Sequence, residues 1–362
     1  MKTCPIFLAA ACTLIAQPTR PAWTSVADHL IQTPIQSYPF NWGEGVQMMG
    51  LMRAARAAND ARYTDYVEKW AQFYEAKDIR TLLNIGPSAP NPSRAGYCGH
   101  WSPGSAVLYL YQDRREPEHL KLAHQVADFI RTGAERSPEG GLGHWQGSHQ
   151  MWVDTLYMAC PLLAGLGQME NKPKYVDDAA NQIIVHARHL QDAKTGLIYH
   201  MYDWQTGTHS EGFWGRGDGW VLMSLAETLE AIPRSNSDFE ALATIARKLV
   251  RGLESTQDAD GMWHTVLDDP NSYPECSATV MFAYGTLKLI RLDVLPPTYK
   301  SVALKAWRAI NGKYVKEGVV TGVSAGTGPK GAESYRNIPV GTETWGTGAY
   351  LLAASEVARL KK

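Results

Sequence analysis

Residues 214–232 read WGRGDGWVLMSLAETLEAI, and the fold follows from the pattern in this stretch. A short loop rich in glycine and tryptophan leads directly into a helical segment that is apolar on nearly every side. A helix that is apolar all round is buried inside a protein. The stretch therefore predicts an interior helix preceded by a loop of polar and aromatic side chains.

The same arrangement occurs six times along the 362 residues, near positions 42, 101, 152, 214, 275 and 345. A second helical segment accompanies each of them, for example DARYTDYVEKWAQFYEA at 60–76, and TSVADHLIQ at 24–32 serves as the sixth. These segments have apolar residues at i, i+3, i+4 and i+7, which indicates one buried and one solvated face. Helix pairs that recur at such intervals are typical of a repeat architecture. We expect an inner ring of apolar helices covered by an outer ring of amphipathic ones.

Six helix pairs can either close into a barrel or form an open solenoid. The equivalent loops of a solenoid are interchangeable, whereas here each loop carries a different polar cluster. Six such clusters form one pocket if they converge at one end of a closed ring. The sequence therefore predicts an all-α fold, an (α/α)6 toroid of six helical hairpins in one domain, residues 24–362. Residues 317–343 contain six glycines and are expected to form a long loop that closes over the mouth.

The N-terminus has the features of an export signal. A positive start is followed by an apolar run over 4–16 and by small residues, which predicts a signal peptide over residues 1–22 and a periplasmic or secreted protein. The run is shorter than the roughly 20 residues that a membrane-spanning helix needs. Processing as a lipoprotein at Cys12 is less favoured because the leucine expected three residues earlier is missing. A wrongly chosen start codon is the alternative.

Charge and cysteine usage exclude several classes of partner. The 35 basic and 36 acidic residues nearly balance, which argues against a protein that binds nucleic acid or an acidic membrane surface through bulk charge. No other stretch is apolar enough to span a membrane. The five cysteines form no CxxC pair, and the histidines lack HExxH spacing, so we expect neither a metal site nor a disulfide scaffold. The sequence indicates no cofactor and does not fix the oligomeric state.

The aromatic composition points to a sugar-binding pocket. The chain has 12 tryptophans and 17 tyrosines but 7 phenylalanines, and flat rings with a polar edge stack well on sugar faces. Carboxylates that grip hydroxyl groups and a carboxyl group that transfers a proton complete such a site. The loops before the inner helices offer these candidates: Trp42, Glu44, His100, Trp101, His144, Trp145, Trp152, Asp154, His200, Trp214, Arg216, Asp218, Trp220, Glu275 and Trp345.

Two candidates carry opposing interpretations. Asp154 lies in an apolar setting at the start of an inner helix, where burial would raise its pKa and keep it protonated as a general acid. It could instead cap the helix, and the N–H groups would then lower its pKa. Arg216 suits the bidentate binding of a carboxylate or phosphate, but a structural salt bridge with Asp218 is equally consistent with the sequence.

Two motifs reveal a resemblance to a known family. QMWVDTLYMA at 150–159 and FWGRGDGW at 213–220 resemble the unsaturated rhamnogalacturonyl hydrolases of glycoside hydrolase family 105. They are more remotely similar to the unsaturated glucuronyl hydrolases of family 88. Supporting pieces are WGEG at 42–45, TGLIYH at 195–200, ECSA at 275–278 and WGTGAYLL at 345–352, in the family's order.

The resemblance implies an (α/α)6 barrel and a reaction that needs no cofactor. Polysaccharide lyases leave a C4–C5 double bond in the terminal uronate of their products. The family protonates C4, water adds at C5, and the resulting hemiketal collapses with loss of the glycosidic bond. The resemblance assigns Asp154 as general acid/base and places Arg216 against the uronate carboxylate. The other expected substrate-binding residues are His200, Trp214, Trp220, Trp42, His100, His144, Trp152, Trp345, Glu44 and Asp218.

One position departs from the family's pattern. Members usually carry a second aspartate just before the stretch that here reads HWSPG at 100–104, where this chain has Gly99. Glu44 or Asp218 could substitute for that aspartate, the substrate could differ, or activity could be lost. We favour a different substrate, for instance an unsaturated glucuronide.

Two other functions are also consistent with the sequence. A sugar epimerase on the same barrel would place His100 and His200 within hydrogen-bond reach of each other. A glycan-binding toroid without catalysis would have aromatic stacking and no carboxyl group near the ligand.

Overall fold

The computed structural model describes residues 20–87 and 89–360, and these residues are mostly helical. The predicted signal peptide over 1–22 falls almost entirely outside the described residues. The helices are α1 (Thr24–Leu30), α2 (Trp42–Ala58), α3 (Ala61–Glu75), α4 (Ile79–Leu82), α5 (Pro103–Arg114), α6 (Pro117–Thr132), α7 (Asp154–Met169), α8 (Pro173–Leu190), α9 (Gly215–Ala231), α10 (Phe239–Thr256), α11 (Cys276–Arg291), α12 (Lys300–Lys313), α13 (Ala332–Arg336) and α14 (Thr344–Arg359).

Six helices form a closed inner ring. Each of α2, α5, α7, α9, α11 and α14 packs against the next, and α14 packs against α2. Closure depends on a close approach between two glycines: a Cβ on Gly50 of α2 would lie 2.5 Å from the main-chain oxygen of Gly348 of α14. Every residue of α9 except Glu230 is buried, as the apolar pattern predicts. The (α/α)6 toroid is confirmed, and the open solenoid is not observed.

The outer ring consists of α1, α3, α6, α8, α10 and α12. In α10 the buried residues Leu242, Ala246, Leu249 and Leu253 follow helical spacing, so one face packs on the ring and the other meets solvent. The short α1 contacts both α2 and α14 and completes the sixth pair. Among residues 20–87 and 89–360, no helix is long and apolar enough to cross a membrane.

Short strands shape the loops at the pocket end of the ring. An antiparallel sheet contains β1 (Gln150–Trp152), β2 (Met201–Asp203) and β3 (Thr208–His209), with Trp152 opposite Met201. Two further pairs are β4 (Val315–Lys316) with β5 (Val319–Val320), and β6 (Val323–Ser324) with β7 (Val340–Gly341). The first sheet brings the start of α7 beside His200, and the β6–β7 pair holds the ends of the long loop together.

Candidate active site

Asp154 is the first residue of α7, directly after β1 and Val153. Its Oδ2 lies 3.0 Å from Nε2 of His200, and its side chain is 18% exposed. The residue in the capping position is Val153, and no side-chain capping hydrogen bond is present. The side chain of Asp154 is therefore held by His200 and does not cap the helix.

The pKa of Asp154 is lowered, which is the opposite of the direction that burial alone would give. Burial raises the pKa of Asp154, but the hydrogen bond from His200 and the nearby side chains of His144 and Arg216 outweigh burial and hold the pKa below its usual value. The apolar neighbours of Asp154 in sequence gave no sign of these three groups, which come from other loops. In the unliganded protein Asp154 is a carboxylate.

A second hydrogen bond orients His200. Its Nδ1 lies 2.9 Å from the hydroxyl oxygen of Tyr335, which is on α13 in the long loop. When the Tyr335 hydroxyl donates to Nδ1, the imidazole carries its hydrogen on Nε2 and donates it to Asp154. His200 is fully buried. Two successive hydrogen bonds thus link Tyr335 on the long loop, through His200, to Asp154 at the cavity.

A cavity of about 530 Å³ opens at this end of the ring. Six of the residues expected at the site line it: Asp154, Arg216, Trp42, His144, Trp152 and Trp214. Residues 326–330 form another part of its wall, which confirms that the long loop reaches the mouth. The clusters of the different loops thus converge on one pocket.

Arg216 lies at the floor of the cavity and is almost fully buried. Its Nη1 donates to the carbonyl oxygen of Ser324 at 2.8 Å, and its Nη2 donates to that of Ala325 at 2.7 Å. The side chain therefore anchors the long loop and forms no salt bridge with Asp218. Its Nε has no hydrogen-bond partner within the described chain. Burial lowers the pKa of Arg216, although the charges of Glu275 and Asp154 oppose this effect.

Aromatic rings form much of the wall. Trp214 stacks on His200 with centroids 4.3 Å apart, and the Arg216 guanidinium lies 4.4 Å from the Trp214 ring. Trp152 stacks on His144 at 4.0 Å. Burial lowers the pKa of His144 to about 3, so this imidazole is neutral at ordinary pH. The indole Nε1 of Trp214 has no partner among the described residues.

Two further expected residues support the wall from behind. His200 does not line the cavity but holds Asp154. Trp345 stacks on Trp42 at 4.1 Å and lies outside the lining.

Four residues that the sequence analysis expects to bind substrate do not line this cavity: Trp220, Glu44, His100 and Asp218. Trp220 lies in the second turn of α9, and its indole side chain packs inside the barrel, where it is fully buried. Glu44 accepts a hydrogen bond from Thr344 at 3.1 Å, and His100 donates to the carbonyl oxygen of Phe40 at 3.0 Å.

The Asp218 side chain is fully buried and accepts a hydrogen bond from the main-chain nitrogen of Ile198 at 3.0 Å. Burial raises its pKa well above the usual value. Neither Asp218 nor Glu44 lies with Asp154 in the lining of the cavity.

The space beside Gly99 is occupied by Tyr97. A Cβ on Gly99 would lie 2.8 Å from Cζ of the Tyr97 ring and 3.0 Å from Oδ1 of Asn41. Both Gly99 and Tyr97 line the cavity. An aspartate at position 99 is incompatible with this position of the tyrosine ring.

Sequence reasoning missed three prominent lining residues: Tyr97, Arg94 and Lys330. Arg94 ends a three-residue 3-10 helix, and Tyr97 and Lys330 lie in irregular segments, so no hydrophobic periodicity marks the direction of any of the three side chains. Trp145, one of the loop candidates, also lines the cavity.

The geometry also addresses the epimerase hypothesis and metal binding. His100 bonds to Phe40, while His200 bonds to Asp154 and Tyr335, so the two histidines do not pair across the pocket. In the part of the chain that the structure describes, no group of three or more His, Cys, Asp or Glu side chains is arranged to hold a metal ion.

Comparison with known proteins agrees with the fold and with the motifs. A sequence model of Glycosyl Hydrolase Family 88 matches residues 22–361. The chain is 29% identical to an unsaturated rhamnogalacturonyl hydrolase of Bacillus subtilis, over 94% of this chain and 96% of that protein. It is 25% identical to an unsaturated 3S-rhamnoglycuronyl hydrolase of Formosa agariphila, over 90% of this chain and 86% of the relative.

A solved structure described as a possible member of glycoside hydrolase family 105, from Klebsiella pneumoniae, superimposes with a TM-score of 0.83 at 25% identity and covers 100% of both chains. The resemblance seen in the motifs is confirmed. The chain belongs to glycosyl hydrolase family 88.

Proposed function

We propose that the protein hydrolyses unsaturated uronyl glycosides, releasing the terminal 4,5-unsaturated uronic acid from products of polysaccharide lyases. The observation that carries this proposal is the set of groups at the cavity floor. A carboxylate, Asp154, lies there with two buried donors that lack partners in the described chain, Arg216 Nε and Trp214 Nε1. Buried donors left unpaired in a protein are expected to meet a ligand or water. The names of the relatives from Bacillus subtilis and Formosa agariphila support the same reaction.

The substrate's carboxylate would bind at Arg216. Two of its nitrogens already hold the long loop, which leaves Nε and the second hydrogen of Nη2 for a bidentate contact. The sugar ring would stack among Trp42, Trp152 and Trp214. Arg216 thus has two tasks: it anchors the wall of the pocket and binds the substrate.

Substrate binding would also prepare Asp154 for proton transfer. A carboxylate bound to Arg216 cancels the positive charge that lowers the pKa of Asp154. The sugar expels water from the exposed part of Asp154, which raises its pKa further. Asp154 then receives a proton only when substrate is present and delivers it to C4 of the double bond.

The remaining steps conserve atoms and charge. Protonation at C4 places positive charge at C5, where the ring oxygen stabilises it. Water adds at C5 and loses a proton to the Asp154 carboxylate, which restores the general acid. The resulting hemiketal opens, and the aglycone leaves from C1 with its glycosidic oxygen protonated. His200 orients Asp154 throughout.

Within this class we propose an unsaturated glucuronide as the preferred substrate. Tyr97 fills the space beside Gly99, so the wall that contacts the sugar differs from that of members with an aspartate there. A galacturonate-derived product linked to rhamnose is the alternative, supported by the name of the Bacillus subtilis relative.

The test uses the ultraviolet absorbance of the substrate's double bond, which disappears on hydration. The protein is incubated with unsaturated disaccharides from rhamnogalacturonan, ulvan and glycosaminoglycans. We expect absorbance to fall with at least one of them, fastest with a glucuronide. Bound sugar with unchanged absorbance across the whole panel would refute the hydrolase and favour the glycan-binding toroid.

We further propose that the protein is exported, on the basis of the N-terminal pattern of residues 1–22. Expression of the full chain with mass spectrometry of the mature N-terminus tests this. A mature chain that begins near residue 23 in the periplasm or medium is expected, and an intact N-terminus in the cytoplasm would contradict export.

A further inference from the structure

A second cavity, here called the far cavity, lies at the end of the ring opposite to the active site. Its volume is about 160 Å³, and its lining residues come from the C-terminal parts of two inner helices: Arg53, Arg56 and Ala57 of α2, with Ser355, Ala358 and Arg359 of α14. Trp42, which lines the active-site cavity, begins α2. A helix rises about 1.5 Å per residue, so roughly 20 Å of α2 separates the two cavities. The proposed hydrolysis does not involve the far cavity.

Positive charge dominates the far cavity. Three of its six lining residues are arginines, and the others are Ala57, Ala358 and Ser355, so no carboxylate of the described chain lines it. Guanidinium groups donate hydrogen bonds and bind phosphate and similar anions through planar, bidentate contacts. A volume of about 160 Å³ is that of several water molecules, which occupy about 30 Å³ each in the liquid. The far cavity therefore has the charge and the size for a small anion.

Arg53 is held in place while some of its donors lack partners. The residue is 6% exposed, and its Nη2 donates to Glu227 at 3.0 Å and to Glu230 at 3.2 Å. The guanidinium packs on the Tyr109 ring, 4.3 Å from the centroid. Its Nε has no hydrogen-bond partner in the described chain, and its Nη1 donates to none of the described residues either. Buried donors without protein partners are expected to meet a ligand or water.

Arg56 and Arg359 complete the basic lining, one from each helix. Arg56 packs on the same Tyr109 ring at 4.8 Å and pairs with Asp113 at 2.8 Å. The described carboxylate that pairs with Arg359 is that of Glu356, and its distance of 3.8 Å from Arg359 Nε is too long for a hydrogen bond. Glu356 already accepts two hydrogen bonds from another arginine. Arg359 thus brings a charge that no described carboxylate binds closely.

The ion pairs around the far cavity contain one more cation than carboxylates. Arg53 and Arg359 share their carboxylate partners with two further basic side chains, which belong to α11. An anion in the far cavity would balance the excess charge. The cations are Arg53, Arg56, Lys288, Arg291 and Arg359, and the carboxylates are Asp113, Glu227, Glu230 and Glu356.

Arginines near the end of a helix often serve a different purpose. Basic side chains in the last turn commonly bind the terminal carbonyl groups and interact favourably with the helix dipole. None of the three arginines of the far cavity donates a hydrogen bond to a main-chain carbonyl oxygen of the described chain; Arg53 and Arg56 bond to side chains instead. Capping of α2 and α14 therefore does not account for their convergence.

We propose that the far cavity binds a small tetrahedral oxyanion, phosphate or sulfate, either free or as the monoester of a small molecule. This site is separate from the proposed hydrolysis and does not depend on it. Helices α2 and α14 are the first and last of the inner ring, and their contact closes it. The anion would join Arg53 and Arg56 of α2 to Arg359 of α14 and thereby stabilise the closed ring.

The test measures thermal unfolding with and without the anion. Inorganic phosphate, inorganic sulfate and glycerol 1-phosphate are each added at low millimolar concentration, with sodium chloride at equal ionic strength as the reference. The wild-type protein is compared with Arg56→Gln and Arg359→Gln, whose side chains are at least one-third exposed and so tolerate replacement. Arg308→Gln is the matched control, because Arg308 is an exposed arginine of α12 outside the far cavity.

We expect the melting temperature of the wild type and of Arg308→Gln to rise by about 2 °C when the anion exceeds its dissociation constant tenfold. Arg359→Gln and Arg56→Gln should lose most of this rise, and Arg359→Lys should keep part of it. Phosphate and sulfate also stabilise proteins without binding, but that effect is the same in all variants. A larger rise with glycerol 1-phosphate than with the inorganic ions indicates a phosphorylated small molecule. Equal rises in all proteins would overturn the site.

Crystallography locates the anion directly and keeps the proposal testable if a variant does not fold. Crystals of the wild-type protein are soaked in selenate, a sulfate analogue that is identified by its anomalous scattering. We expect an anomalous peak in the far cavity, within hydrogen-bond distance of Arg53 and Arg359. The absence of a peak there, in crystals whose far cavity is open to solvent, would refute the site.

Discussion

Replacing Gly99 by aspartate introduces the residue that the family resemblance leads one to expect at this position, and we expect this change to destabilise the protein. A Cβ at position 99 would lie 2.8 Å from Tyr97 Cζ and 3.0 Å from Asn41 Oδ1, well inside normal contact distances. Overpacking of this kind costs about 1–3 kcal/mol in free energy of unfolding. The Asn41 Oδ1 atom is buried and unpaired within the described chain, so a new carboxylate would also face an oxygen that cannot donate to it.

A set of variants separates these effects. Gly99→Ala adds the Cβ without charge and should show most of the steric loss. Tyr97→Ala removes the ring that fills the space, and in the double variant Gly99→Asp with Tyr97→Ala the steric loss should largely disappear. The interaction free energy from this double-mutant cycle should be about 0.5–3 kcal/mol, as for residues in direct contact.

Urea unfolding followed by tryptophan fluorescence supplies the four free energies. Equal unfolding midpoints for the wild type and Gly99→Asp would refute the argument that Tyr97 occupies the aspartate's place. Losses that simply add in the double variant would do the same. Either result would mean that position 99 can accommodate a second carboxylate.

Three further predictions follow from buried groups. Tyr335→Phe removes the hydrogen bond to His200 and should lower kcat by roughly fivefold, which corresponds to the free energy of one buried hydrogen bond. The pH profile of kcat should also shift, because His200 loses the contact that orients it. An unchanged profile would limit Tyr335 to a structural role. Burial lowers the pKa of His144 to about 3 and that of His186 to about 4, from the ordinary histidine value of 6.5. Just below pH 6.5, therefore, these two histidines bind protons in the unfolded chain but not in the folded one. Stability should therefore fall as the pH drops from about 6.5 towards 3, and His186→Gln should flatten this fall in urea titrations; equal slopes for variant and wild type would contradict it. Burial raises the pKa of Cys160 and Cys276, and neither thiol lines the cavity, so both should react with a thiol reagent only after unfolding. Rapid labelling of either thiol in the native protein would contradict its burial.

The fold could be predicted because the spacing of apolar residues differs between the inner and the outer helices. Inner helices such as α9 are apolar all round, outer helices such as α10 are apolar on one face, and both patterns are visible without tertiary information. Ring closure could be inferred because the loops differ from one another. Asp154 and Arg216 could be singled out from the motifs that contain them.

The electrostatics of the site could not be predicted in the same way. The pKa of Asp154 depends on His200, which in turn bonds to Tyr335, and this contact joins distant parts of the chain. The direction of Trp220 depends on its position within a helical turn, which the loop pattern does not reveal. Arg94 and Lys330 come from segments without periodicity, so only the folded arrangement shows that they share a cavity.

The central claim is that Asp154 transfers the proton to the substrate's double bond. The most direct measurement follows the ultraviolet absorbance of an unsaturated uronyl disaccharide with wild-type protein and with Asp154→Asn, which keeps the side chain's size and can still bond to His200. Loss of a general acid typically lowers the rate by about 10²–10⁴. We expect a loss of at least that size with unchanged unfolding behaviour and sugar still bound. Turnover by Asp154→Asn at a rate close to that of the wild type would contradict the account.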